Sequence, residues 1–166
     1  MLKILKEIES NLASLIQDAI SNNTLKTKYI DYHDPYVSRI YFPYGKYRVF
    51  LHKIHPCKSN TDALYHPHPW VSAVKICKGS YEMGIGHSST TEVPETDCTV
   101  ILSEGSYYEM LNPDAWHYVF SDKEVVYTLM VTGEPNGRKM PIEPTKEFSE
   151  LPKEEIDDIL KNILND

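Results

Sequence analysis

Seven short runs rich in Val, Ile, Tyr and Thr follow one another between Tyr47 and Val131, and none holds a convincing 3.6-residue period. They are Tyr47–Ile54 (YRVFLHKI), Val71–Cys77 (VSAVKIC), Tyr81–Ile85, Cys98–Leu102, Ser106–Met110, Trp116–Phe120 and Val125–Val131 (VVYTLMV). Turn-forming stretches such as KGS, SEGS, NPD and SDKE separate them at the short spacing of an all-β sandwich or barrel. The sequence lacks the alternating helix and strand patterns of a parallel sheet, and it has no Gly-rich phosphate loop, internal repeat or low-complexity segment. Residues 47–131 are therefore expected to form one antiparallel β unit.

Helical periodicity is confined to the two ends. Leu5, Ile8, Leu12, Leu15, Ile16 and Ala19 form an apolar stripe that predicts an amphipathic helix over residues 1–21. Ile156, Ile159, Leu160, Ile163 and Leu164 form a second stripe, over residues 152–165, with Pro152 suited to a first turn and Glu154 and Glu155 complementing the positive helix end. Both stripes read as core-facing, although either could pack against a second subunit in a homodimer. Gly133–Pro152, with Pro135, Pro141 and Pro144 inside it, reads as a connector to the last helix. At 166 residues the whole is the size of a single domain.

The net charge of −7, from 24 acidic against 17 basic side chains, disfavours a nucleic-acid partner. No apolar run approaches the roughly 20 residues that cross a bilayer, and Lys3, Lys6, Glu7 and Glu9 interrupt what would be a signal core. Cys57, Cys77 and Cys98 are odd in number and lack CxxC spacing, so they read as small packing residues in a reducing cytoplasm.

The chemistry concentrates in Tyr65–Trp70, YHPHPW. A residue before proline is pushed into extended backbone, and His66 and His68 both stand there. Side chains at i and i+2 of an extended strand leave on one face, so both imidazoles are biased towards one point. Pro67 and Pro69 remove two backbone donors, which restricts the segment to an edge or rim. Two imidazoles make half of a metal site, and a third ligand must come from His33, His52, His55, His87 or His117. His117 is the best candidate, because NPDAWH places a proline turn before it and an apolar strand, HYVF, begins with it.

With those motifs in place, residues 47–131 resemble the cupin superfamily, small β-barrels in which one motif supplies HxH and often a glutamate and a second supplies another histidine after a Pro-containing turn. Gly79, Gly105 and Pro113 stand where the resemblance expects them. Ser72 occupies the glutamate position, and Ala115 replaces the usual glycine in a turn one residue shorter. A barrel with three histidines and no acid is similar to the three-histidine, cysteine-dioxygenase-like branch. That resemblance implies a cupin-type antiparallel β-barrel or jelly roll with flanking helices, and a metal held by His66, His68 and His117. It also implies oxidation by Fe(II) and O₂ of a small substrate that ligates the metal, such as a thiol. Two departures are evident: Ala73 stands where some members carry a crosslinked cysteine, with Cys77 too far along, and the substrate arginine has no motif match.

Arg48, His52 and Tyr127 are the candidate catalytic residues. Alternation on YRVFLHKIH sends Arg48, Phe50, His52 and Ile54 to one face, and either face could line the lumen. Tyr81, Met83 and Tyr108 are pocket or core residues, Glu82 is a possible carboxylate ligand that reads more simply as solvated, and His33 and His87 are expected to be exposed. Zn, Ni or Mn in place of iron would point to isomerase or lyase chemistry, and a barrel without turnover would be a small-ligand-binding module. No GxSxG elbow or HExxH motif is present.

Overall fold

The computed structural model describes residues 1–138 and 147–164. Pro141 and Pro144 of the expected connector, and the last residue of the expected helix 152–165, lie outside the described residues. The elements are α1 (Leu2–Ser10), α2 (Leu12–Ser21), β1 (Lys26–Ile30), β2 (Val37–Tyr44), β3 (Tyr47–Ile54), β4 (His66–Pro67), β5 (Ser72–Lys78), β6 (Ser80–His87), β7 (Cys98–Ser103), β8 (Tyr107–Met110), β9 (Ala115–Phe120), β10 (Val126–Thr132) and α3 (Lys153–Leu164).

The strands form two antiparallel sheets. One has the order β1-β2-β3-β10-β5-β8 and the other β4-β9-β6-β7. From β3 onward the chain alternates between sheets, except where the β6–β7 hairpin stays in one, and this gives the double Greek key of a jelly roll. β1 and β2 extend the first sheet beyond those eight strands.

β10 pairs with β3 on one side and β5 on the other, and all seven of its residues are buried. Its pleat divides them between two cores. Tyr127, Leu129 and Val131 join Val49 and Leu51 of β3, Ile40 and Phe42 of β2 and the apolar stripes of all three helices. Val126 and Met130 face the other way, with Phe50, Ile54, Val74 and Ile76, and meet Tyr81 and Met83 from the opposing sheet. The helices therefore cover the outside of the six-stranded sheet, and the lumen lies between the sheets. No described helix is long and apolar enough to cross a membrane.

The N-terminal helix expected over residues 1–21 is two helices broken at Asn11, which has φ −120° and ψ 10°. The Asn11 side-chain amide donates to the Glu7 carbonyl at 2.9 Å, the local competition with helix bonding that asparagine offers. The apolar stripe continues across the break, with Ile8, Leu12 and Ile16 all buried. The sequence expectation does not include β1 and β2, because polar Ser38 and Arg39 and a proline at position 43 obscure the alternation of Ile40 and Phe42. Cys57 and Cys77 are buried, whereas Cys98, expected to be a packing residue, is exposed on β7.

A third apolar cluster lies on the outer face of the four-stranded sheet, where Cys57, Ala63 and Tyr65 pack on Tyr118 and Phe120. It anchors the segment that leads into His66. Tyr118 lies so close over Gly84 that a Cβ there would overlap its ring. Gly84→Ala is therefore expected to destabilise the fold by about 1–3 kcal/mol through overpacking. Urea denaturation would show this as a lower midpoint, and an unchanged midpoint would mean that Tyr118 does not hold this position.

Candidate metal centre

The pre-proline bias of HPHP is realised as an edge strand: β4 is the first strand of the four-stranded sheet and, among the described residues, pairs with β9 alone. In that pairing His66 stands directly opposite His117, and Pro67 opposite Trp116. His68, two residues on, returns to the same side, so the three rings meet with centroids 4.7–5.1 Å apart. One ring nitrogen from each lies within 4.8 Å of the others. The Nε2 atoms of His68 and His117 are 2.7 Å apart.

Hydrogen bonds orient the rings. The Leu64 carbonyl accepts from His66 Nδ1 at 2.9 Å, which leaves Nε2 of that ring as the free lone pair. His117 Nδ1 faces the Met83 sulfur at 3.4 Å, and His68 Nδ1 is buried without a partner among the described residues. Burial pushes all three pKa values down, His66 to about 4, and mutual repulsion adds to the effect at His68 and His117. Three neutral imidazoles with convergent nitrogens are a donor set that suits a divalent transition metal. No carboxylate among the described residues belongs to the group.

The cluster borders a cavity of about 600 Å³ between the sheets. Its walls are mainly apolar and aromatic, including Val74, Trp70, Val119 and Met130, and no Asp or Glu among the described residues lines it. Tyr81 and Tyr108 meet there with hydroxyls 2.9 Å apart, and burial raises both phenols, Tyr108 to about 12. The cavity also carries Arg39, whose Nε donates to His52 Nε2 at 2.9 Å. Since that nitrogen accepts, His52 carries its proton on Nδ1 and donates to Thr128 Oγ1 at 3.2 Å. Burial, and then the charge of Arg39, hold His52 well below its usual pKa.

The face of β3 that looks into the lumen is the one carrying Arg48, Phe50, His52 and Ile54. His52 lines the cavity but does not belong to the three-histidine group. Arg48 lies off the cavity lining, its guanidinium 4.9 Å from the Trp70 ring, and its Nη2 is buried without a partner among the described residues. Tyr127 is on the opposite face of β10 and donates to Asp158 of α3 at 2.8 Å, so the structure separates it from the histidines by the thickness of the sheet. Glu82 also points outward, accepting from Tyr118 at 2.8 Å and Asn60 at 3.1 Å.

His33, expected in an exposed turn, is half-buried and lines the cavity, because its loop folds beside His66 with ring centroids 6.5 Å apart. His87 is exposed and pairs with Asp97. Sequence reasoning missed Arg39 and Lys28 altogether. The signal available was the alternation of VSRIYFPY, whose apolar Ile40 and Phe42 face the helices and so turn Arg39 inward.

Neither a protein-family model nor a curated protein matches the sequence. Solved structures similar to the chain include AerE from Microcystis aeruginosa, at 15% identity over 66% of this chain and 47% of that one, with a TM-score of 0.49. Hydroxypropylphosphonic acid epoxidase from S. wedmorenis is similar at 11% identity over 65% of this chain and 55% of that one, with a TM-score of 0.48. The Clostridium difficile EutQ protein is similar at 9% identity over 63% and 72%, with a TM-score of 0.46. In two structures of HppE, with Fe(II) and with Co(II), the match spans about half of the neighbour's length, 49% and 54%. The strand architecture of a jelly roll rests on the chain's own sheet order.

Proposed function

We propose that His66, His68 and His117 hold Fe(II), and that the protein is a dioxygenase-like enzyme acting on a small substrate that itself ligates the metal. The observation that carries this reading is the convergence of three neutral imidazoles, with no carboxylate among them, on the wall of a 600 Å³ cavity. When bound, the metal supplies a double positive charge undiminished by its protein ligands and a redox centre for O₂. An anionic donor such as a thiolate suits that charge, which makes small thiols the first substrate class to test.

The chain's own residues have definable parts in this reading. The Leu64 carbonyl fixes the His66 tautomer, and the pairing of β4 with β9 fixes the ring positions without any ligand. The apolar walls exclude water and leave an incoming donor little competition. Tyr81 and Tyr108, both protonated at neutral pH, offer hydroxyls to an oxygen of the bound substrate.

Elemental mass spectrometry of protein purified without chelators should find near-stoichiometric metal, lost in the His66→Ala/His68→Ala double variant. Oxygen uptake with a panel of small thiols should require added Fe(II) and should vanish in His117→Ala. Persistent uptake in that variant would sink the ligand assignment. Turnover that is indifferent to air and sustained by Zn, Ni or Mn would replace oxygen chemistry with Lewis-acid chemistry. Tight retention of a small molecule without turnover under any metal would leave a binding module.

The same burial predicts acid lability of the metal-free protein. His52, His66, His68 and His117 have folded pKa values below the roughly 6.5 of an unfolded chain. The unfolded state therefore takes up protons that the folded state refuses. Stability is full above about pH 6.5 and falls below it, by up to about 1.4 kcal/mol per pH unit for each histidine. Denaturation midpoints recorded from pH 7 to pH 5 should drop steeply, and a flat profile would mean that these rings are solvated.

A further inference from the structure

The cavity wall carries a cationic row, Lys28 and Arg39 of β1 and β2 with His52 and Thr128 beyond them, and the six-stranded sheet carries a second polar row that the three histidines do not use. Thr132, the last residue of β10, is the register partner of Arg48 on β3 and of Ser72 on β5. By alternation all three stand on the inner face, the face of Phe50, Val74 and Met130. Opposite side chains on neighbouring strands have Cβ atoms about 4.5–5.5 Å apart, so the row brings two hydroxyls and a guanidinium together. Trp70, two residues before Ser72, closes the group, with the Arg48 guanidinium 4.9 Å from its ring centroid.

Each of the four has a buried polar atom without a hydrogen-bond partner among the described residues: Arg48 Nη2, Trp70 Nε1, Ser72 Oγ and Thr132 Oγ1. Ser72 is 1% exposed and Thr132 0%. Buried polar groups are almost always paired, so four of them on adjacent side chains point to one shared partner. The guanidinium and the indole can only donate, and both hydroxyls can donate as well. A water molecule accepts from two donors, whereas a halide accepts from all four. No ion pair joins Arg48 to a carboxylate among the described residues, and a partner that carries negative charge also balances the guanidinium.

We infer that Arg48, Trp70, Ser72 and Thr132 form a site for a monatomic anion, chloride, which pins the Trp70 indole in place. The site lies beyond the cavity, whose lining includes Trp70 but not the other three. The anion is therefore a structural partner of the wall and not a substrate, and the inference stands apart from the proposed activity. Its effect reaches the histidines through Trp70, whose ring meets His68 edge-to-face with centroids 6.0 Å apart. A tetrahedral oxyanion asks for more room and more donors than adjacent side chains of one sheet row provide.

The chain has two tryptophans, and the other, Trp116, donates its Nε1 to the Ser88 carbonyl at 3.1 Å, which makes it an internal control. Both indole N–H resonances of the isotope-labelled full chain are followed while sodium chloride or bromide replaces sodium methanesulfonate at constant ionic strength, with Trp70→Phe assigning the peaks. The Trp70 resonance should shift saturably and the Trp116 resonance should stay still, in protein as purified and after chelation alike. Arg48→Gln should raise the halide concentration at half-saturation by at least about tenfold, the range of a charged hydrogen bond, and Thr132→Val by a smaller factor. Arg39→Gln, which alters the other row, should leave it unchanged. In crystals, the anomalous signal of bromide should lie among the four groups. The wild-type shift does not depend on any variant folding. A Trp70 resonance that never moves, or two resonances that drift together without saturation, would overturn the inference. So would half-saturation unchanged in Arg48→Gln, half-saturation raised equally by Arg39→Gln, or tighter binding of sulfate or acetate than of chloride. Loss of the shift on chelation would place the halide on a metal and overturn it too.

Discussion

The whole arrangement depends on one strand being buried on both faces. β10 pairs along both edges and is covered by helices on one side and the opposing sheet on the other. An apolar run such as VVYTLMV satisfies that demand by hydrophobic burial. The single polar residue that it directs toward the lumen near the centre, Thr128, must then find a hydrogen bond, and it does so at His52. His52 in turn takes its partner from Arg39, so the satisfaction of one buried hydroxyl passes outward across three strands to a guanidinium.

The two sheets contribute different chemistry to one space. The four-stranded sheet supplies the three imidazoles from its edge, where prolines are tolerated because no further strand needs their missing N–H groups. The six-stranded sheet supplies the cationic row, from strands added beyond the jelly roll. Electrostatically the halves agree: buried imidazoles are held neutral, and the charge of the wall is carried by side chains that remain protonated, with Arg39 brought down by burial only to about 10.

Much of this was legible in the sequence, for reasons specific to particular residues. His66 and His68 declare themselves because pre-proline backbone and strand alternation act within five residues, and His117 because a proline turn precedes an apolar strand. The seven strands between Tyr47 and Val131 are legible because turn chemistry punctuates them. Arg48 and Tyr127 were reasonable candidates by composition, but which face of a strand looks inward depends on what packs against it. Helices claimed the Tyr127 face, and Trp70 drew Arg48 away from the cavity lining. β1 and β2 carry a polar inward face, so their alternation looks inverted or absent when the inside is assumed to be apolar.

The sequence by itself determined the class of the fold, the edge position of YHPHPW and the common direction of its two imidazoles, because each follows from backbone sterics or periodicity over a few residues. Only the tertiary structure decided that His117 stands across from His66, that Arg39 rather than Arg48 reaches the cavity, and that Glu82 turns outward. Those outcomes depend on strand register and on the pairing of segments far apart in the chain. A shift of one residue in any of those pairings would send the same side chains to the opposite face.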